Sequence, residues 1–204
     1  MRLTIPALFA TVLATSAVAG DVAVEVRNAS GQPVRDAVVM IRPAAGVAPG
    51  TPMKVSWPMV MAQQSIQFTP YVLIAPLGSV VSFPNKDKVR HHVYSFSTPK
   101  KFELKLYGRD ESRTVTFDKP GAVSVGCNIH DTMIGYIYVS DTPYAAKSGA
   151  DGVALVRGAP AGGATLVVWH PDLKVRTPLT RNLPVTVAGQ RVSVTLDLRP
   201  AVAR

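Results

Sequence analysis

Residues 122–139 read AVSVGCNIHDTMIGYIYV, and this stretch decides the fold. β-branched and other apolar residues dominate its two ends, 122–127 and 134–139, which predicts two strands joined by a short loop. The loop carries three side chains able to bind a metal, at successive three-residue steps: Cys127, His130 and Met133.

This spacing restricts the path of the loop. Donors to one small cation lie within roughly 4 Å of each other, since the bonds are about 2.0 to 2.3 Å long. Three residues of extended chain span roughly 10 Å, so the loop has to curl, and Asn128 and Asp131 tolerate such turns. A further ligand has to come from another strand, and the pair His91 and His92 suits. Because side chains alternate between the faces of a strand, only one of the pair can easily reach the metal.

Cysteine, two histidines and a weak methionine ligand form the donor set of a blue-copper electron-transfer centre. Zinc could use the same thiolate and imidazoles, but an axial methionine favours copper. Coincidence is the simplest alternative for a lone Cys-x-x-His, and the methionine, the upstream histidine and the flanking strands weigh against it. A catalytic Cys127 is disfavoured, because cysteine–histidine catalysis usually draws the two residues from distant segments.

The counts of cysteine and histidine limit what the chain can hold. A single cysteine excludes an intramolecular disulfide and a dinuclear copper centre with two cysteines. Four histidines, the fourth being His170, are too few for the oxygen-reducing cluster of a multicopper oxidase. We therefore expect one mononuclear site and no catalytic residues, with His170 as a structural residue in a turn.

The composition predicts an all-β, exported protein. The 204 residues are 47% hydrophobic, with frequent valine and threonine and no long helical periodicity. Residues 1–19 combine a basic start, an apolar segment and a small-x-small end, as in a secretory signal peptide. No later segment reaches the roughly 18 apolar residues of a membrane span. We expect a periplasmic location.

The net charge of +9 is spread over scattered basic residues. This pattern disfavours nucleic acid and favours an acidic redox protein, such as a cytochrome, because opposite charges speed encounter. Lys86, Lys88 and Arg90 lie beside the histidine pair and could form a docking rim.

Turn and strand signals divide the chain into three parts. Residues 21–43 predict a hairpin of two strands, and 44–52 predict a linker rich in glycine, proline and alanine. The expected strands of the central block are 65–68, 71–75, 79–83, 92–96, 113–117, 122–127 and 134–139. Those of the tail are 153–156, 164–169 and 192–198.

The two ends of the chain resemble one module. Val-x-Val followed by Gly-x-Pro-Val, at 24–34, resembles the opening hairpin of carboxypeptidase regulatory-like (prealbumin-like) sandwiches, and the Asp-Gly turn and strand at 151–168 resemble its second half. The resemblance implies a small β-sandwich built from 21–48 and 142–200. A metal-binding domain, 53–141, is then inserted in it.

The central block resembles the cupredoxins of the plastocyanin and amicyanin type. SFPNKD-x-x-x-His at 82–91 is similar to their first ligand strand, and Thr-Phe-x-x-Pro-Gly at 116–121 is similar to the turn before the second. The Cys-x-x-His-x-x-Met spacing at 127–133 is amicyanin-like. More narrowly, the chain is similar to bacterial copper proteins labelled methylamine utilization or plastocyanin-like.

This resemblance implies a Greek-key β-barrel with one type 1 copper site. His91, Cys127 and His130 would hold the metal in a trigonal plane, with Met133 axial. His92 then takes the position of an asparagine that usually ties the two ligand loops together.

These observations support a periplasmic type 1 copper protein that carries single electrons between redox partners and is not an enzyme. The alternative is a copper-binding module for delivery, buffering or resistance. A third interpretation is a structural or adhesive sandwich whose metal site is vestigial.

Overall fold

The computed structural model describes residues 19–200, which form an all-β protein as the sequence predicts. The expected signal peptide at 1–19 lies outside the described residues except for its last position. Among residues 19–200, no helix is long and apolar enough to cross a lipid bilayer.

Sixteen strands follow one another along the described chain. They are β1 Ala19–Asn28, β2 Val38–Pro43, β3 Ala62–Gln64, β4 Gln67–Thr69, β5 Val72–Pro76, β6 Ser79–Pro84, β7 His91–Ser97, β8 Lys100–Tyr107, β9 Ser112–Phe117, β10 Gly121–Cys127, β11 Ile134–Ser140, β12 Ala145–Lys147, β13 Val153–Pro160, β14 Gly162–Trp169, β15 Leu179–Val185 and β16 Gln190–Leu196.

Strands from the two ends of the chain share two sheets. A three-stranded sheet has the order β13-β1-β16, and a four-stranded sheet has the order β12-β2-β14-β15. Within the first, Val24 lies opposite Ala154 of β13 and Val192 of β16. The strands that precede residue 53 therefore pair with strands that follow residue 141, while the domain boundaries themselves stay a prediction.

The central strands build a second apolar core. Strands β5-β11-β10-β7-β8 form a five-stranded sheet, and the short pairs β3-β4 and β6-β9 complete this part of the chain. The side chains of β11 alternate: Ile137 and Val139 lie in the core that also contains Cys127, whereas Tyr138 lies in the core of the end strands. The five-stranded sheet therefore separates the two cores.

The four-stranded sheet is covered on both of its faces. In β2 every residue from 38 to 41 is buried, and in β14 so is every residue from 166 to 169. Trp169 contacts Tyr136 and Tyr138 of the five-stranded sheet, with ring centroids 5.9 and 5.1 Å apart. Burial of both faces explains why these strands are apolar runs rather than alternating ones.

The predicted hairpin over 21–43 is wrong, because β1 and β2 belong to different sheets. Antiparallel pairing is confined to the turn that follows β1, where Arg27 bridges Pro33 and backbone hydrogen bonds join Asn28 to Gln32 and Val34 to Val26. Proline has no N–H to extend the ladder, and Asp36, at φ 63°, turns the chain before β2 begins. Both strands instead contribute buried side chains to the core of the end strands.

Candidate metal centre

Strand pairing brings the predicted ligands to one end of the five-stranded sheet. His91 is the first residue of β7 and Cys127 is the last residue of β10. The two strands run antiparallel, with Cys127 opposite Val93, so the start of β7 lies beside the end of β10. A register shift against β8, between His91 and Val93, marks the point where the ligand strand enters the sheet.

The side chains of His91, Cys127 and His130 converge. Cys127 Sγ lies 3.7 Å from Nδ1 of His91 and 3.6 Å from Nδ1 of His130. The three candidate donor atoms all lie within 4.8 Å of one another. A cation with metal–sulfur bonds of about 2.3 Å and metal–nitrogen bonds of about 2.0 Å fits between donors at such separations. The residues present therefore fit a metal ion bound by one thiolate and two imidazoles.

The loop between β10 and β11 curls in the way that its spacing requires. The Cys127 N–H donates to the Met133 carbonyl at 3.2 Å, and the Met133 N–H donates to the His130 carbonyl at 2.9 Å. The Asn128 N–H donates to the carbonyl of His92 at 3.2 Å, which ties the loop to β7. These bonds fix the loop at both ends and in its middle.

Burial divides the site into a shielded part and an exposed edge. His91 is fully buried and Cys127 is 3% exposed. His130 is half-buried, so its ring is the part of the centre nearest to solvent. Met133 is 1% exposed and packs in the same apolar core as Cys127, and its role as an axial ligand stays a prediction.

The other two histidines have different surroundings. His92 points away from the centre, and its Nε2 lies 2.9 Å from a carboxylate oxygen of Glu103. His170 accepts a hydrogen bond from the Asp172 N–H and contacts the carbonyl of Arg35. Alternation along β7 thus separates His92 from the cluster, which supports the choice of His91.

Asp87 is a contact that the sequence analysis missed. Its Oδ2 lies 2.8 Å from Nε2 of His91, the ring nitrogen that faces away from Cys127. Burial acts to raise the pKa of Asp87, but hydrogen bonds from the Ile66 N–H, the His91 ring and the Ser65 N–H together hold that pKa below its usual value. The one signal in the sequence is an acidic residue four positions before a candidate ligand.

A buried polar frame supports the same end of β7. Asn85 is fully buried and its side-chain amide donates to the carbonyls of Val89 and Tyr107. The Tyr107 hydroxyl donates to the carbonyl of Phe83, and burial raises the pKa of Tyr107 to about 12 against the opposing effect of Gln63. These bonds hold the segment that leads into His91.

Comparisons with known proteins find likenesses among solved structures. No protein-family model and no curated protein matches the sequence. A copper-containing nitrite reductase from Thermus scotoductus is 30% identical over 47% of this chain and 25% of its own, with a TM-score of 0.40. A reduced variant of amicyanin is 19% identical over 52% of this chain and 99% of its own, with a TM-score of 0.38. A purple cupredoxin from Nitrosopumilus maritimus is 20% identical over 50% of this chain and 97% of its own, with a TM-score of 0.33.

These structures correspond to about half of this chain, which spans a quarter of the nitrite reductase. The assignment of the metal centre rests on the positions of its donor atoms.

Proposed function

We propose that this protein is a type 1 copper protein that carries single electrons. The observation that supports this function is the convergence of one thiol and two imidazole nitrogens within 4.8 Å at a shielded end of a β-sheet. When bound, copper would supply a one-electron couple between Cu(II) and Cu(I). Strand pairing and backbone hydrogen bonds hold Cys127, His91 and His130, so these residues would move little between the two oxidation states.

The donor types favour copper over zinc. A cysteine thiolate and two imidazoles suit either ion, but a weak thioether from Met133 would suit copper. Cys127, His91 and His130 would hold the copper, and Met133 would supply a weak fourth ligand. With these four ligands no position stays open for a substrate, so the proposed protein is not an enzyme.

The surface near the centre supports an acidic redox partner. Lys86, Lys88 and Arg90 are exposed on the segment that leads into His91. Ile129 is 48% exposed beside the half-buried His130, so an apolar spot lies next to the proposed route for electrons. Basic charge around such a spot would speed encounter with an acidic cytochrome.

Two further parts of the proposal concern the rest of the chain. Residues 1–19 would direct the protein to the periplasm and then be removed. Residues 21–48 and 142–200 would form a prealbumin-like sandwich around the copper-binding part at 53–141. The shared sheets of the two chain ends support this division.

Repeated reduction and oxidation in the presence of a chelator distinguishes a carrier of electrons from a carrier of copper. The copper-loaded protein is reduced with ascorbate and reoxidised with ferricyanide while bathocuproine disulfonate is present to capture Cu(I). A carrier of electrons is expected to recover its full Cu(II) spectrum after each cycle. Rapid loss of Cu(I) to the chelator would contradict the proposal and favour copper delivery.

A further inference from the structure

The ring of His91 is engaged on both of its nitrogens. Nδ1 faces Cys127 Sγ at 3.7 Å, and Nε2 lies 2.8 Å from Oδ2 of Asp87. An ionised carboxylate can only accept a hydrogen bond, so the neutral tautomer that fits this contact is the one with the proton on Nε2. Nδ1 then keeps its lone pair on the side where the three donors converge.

Asp87 is itself firmly held. Its Oδ1 accepts from the Ser65 N–H at 2.6 Å, and its Oδ2 accepts from the Ile66 N–H at 3.0 Å. The N–H of Asp87 donates to Oδ1 of Asn85 at 2.9 Å, and Asn85 is fully buried. Two backbone N–H groups therefore hold the carboxylate itself, and the bond to Asn85 holds the backbone of Asp87.

The turn that supplies two of these donors is strained. Ser65 and Ile66 connect β3 to β4 and have φ of 57° and 56°. Two-residue hairpin turns with positive φ at both positions favour Asn-Gly, and a β-branched residue such as Ile66 is an outlier there. A strained backbone conformation of this kind persists where surrounding contacts stabilise it. This conformation places the N–H groups of Ser65 and Ile66 within hydrogen-bond distance of the Asp87 carboxylate.

We infer that Asp87 is a positioning residue: it selects the His91 tautomer that can bind metal and biases the centre towards the oxidised ion. The inference rests on the proposed copper site. A negative charge hydrogen-bonded to a ligand imidazole increases its donor strength and stabilises the more highly charged state of the metal. A backbone carbonyl in the same place would orient the ring without adding that charge.

The test compares Asp87→Asn and Asp87→Ala with the matched control Asp131→Asn. Asp131 is an exposed carboxylate next to His130, so its replacement removes the same charge without touching His91. Two quantities are measured on the full chain: the His91 tautomer of the metal-free protein, from ¹⁵N chemical shifts, and the affinities for Cu(II) and Cu(I).

The metal-free parent protein is expected to hold His91 with the proton on Nε2, and both Asp87 variants are expected to populate the two tautomers. Cu(II) affinity should fall about tenfold in Asp87→Asn, with a smaller change for Cu(I). A loss of this size is typical when a residue hydrogen-bonded to a metal ligand is replaced. A tenfold fall in the ratio of Cu(II) affinity to Cu(I) affinity raises the one-electron potential by about 59 mV, so the expected rise approaches that value as the change for Cu(I) approaches zero.

Equal effects of Asp87→Asn and Asp131→Asn on the affinity ratio would overturn the inference, and so would an unchanged His91 tautomer in both Asp87 variants. If Asp87→Ala does not fold, Asp87→Asn carries the test by itself. If the parent protein lacks a thiolate–Cu(II) band, the proposed function fails, and the tautomer of the metal-free protein still decides whether Asp87 positions the ring.

Discussion

Replacing His91 with glutamine is expected to abolish the intense thiolate-to-copper absorption of the Cu(II)-loaded protein. The imidazole of His91 is fully buried and its Nδ1 is one of three donor atoms that meet at the centre. A glutamine side chain offers a harder, weaker donor and leaves the thiolate with a single imidazole. Losing a residue that is hydrogen-bonded to a metal ligand typically lowers metal affinity by roughly 10–100-fold. We expect the loss of the ligand itself to lower copper affinity by more than this.

His92→Gln is the matched control for this prediction. His92 is the adjacent residue of the same strand, but its Nε2 faces Glu103 on the other side of the sheet. This variant should keep the absorption band and bind copper like the parent protein. If His92→Gln loses the band and His91→Gln keeps it, the choice between the two histidines is wrong.

The second large effect is expected for Gly152→Ala, which should lower the free energy of unfolding by about 3 kcal/mol. Gly152 has φ +79°, and an added Cβ would lie 2.6 Å from the carbonyl oxygen of Val26 and 3.0 Å from Cβ of Pro33. Val26 also donates its N–H to the Gly152 carbonyl at 2.8 Å, so the clash falls on the contact between the two ends of the chain. Urea unfolding curves of the metal-free protein measure the change.

Gly31→Ala separates backbone strain from steric clash. Gly31 has the same φ of +79°, but an added Cβ there would have no atom within 4 Å. Only the strain of about 1 to 2 kcal/mol is expected for this variant. Equal losses in the two variants would mean that the added Cβ at position 152 causes no destabilising clash with Val26 and Pro33, which would contradict the prediction.

The sequence was sufficient to predict that the side chains of His91, Cys127 and His130 converge, while their role as metal ligands stays a prediction. Three-residue steps from Cys127 to Met133 require the loop to curl if these side chains bind one metal, and alternation along β7 separates His91 from His92. Asp87 was missed because its role depends on the turn at residues 65–66, some twenty positions away in the chain. That distance leaves no periodic signal to follow.

Strand pairing was predicted less well than the cluster. β8 was missed, although Phe102 and Leu104 alternate with charged residues, because lysines dominate its outer face. The hairpin over 21–43 failed because β1 pairs with β13 and β16, more than a hundred residues away. A local alternation of apolar residues identifies a strand but not its neighbours.

Visible and EPR spectra after addition of Cu(II), compared with those of Cys127→Ser, test the central claim most directly. Cys127 is the one cysteine of the chain, so a thiolate-to-copper band can arise from no other side chain. The parent protein is expected to give an intense band with narrow copper hyperfine splitting, and Cys127→Ser should give neither. A parent protein that binds Cu(II) without this band, or a Cys127→Ser variant that keeps it, would contradict the type 1 copper assignment.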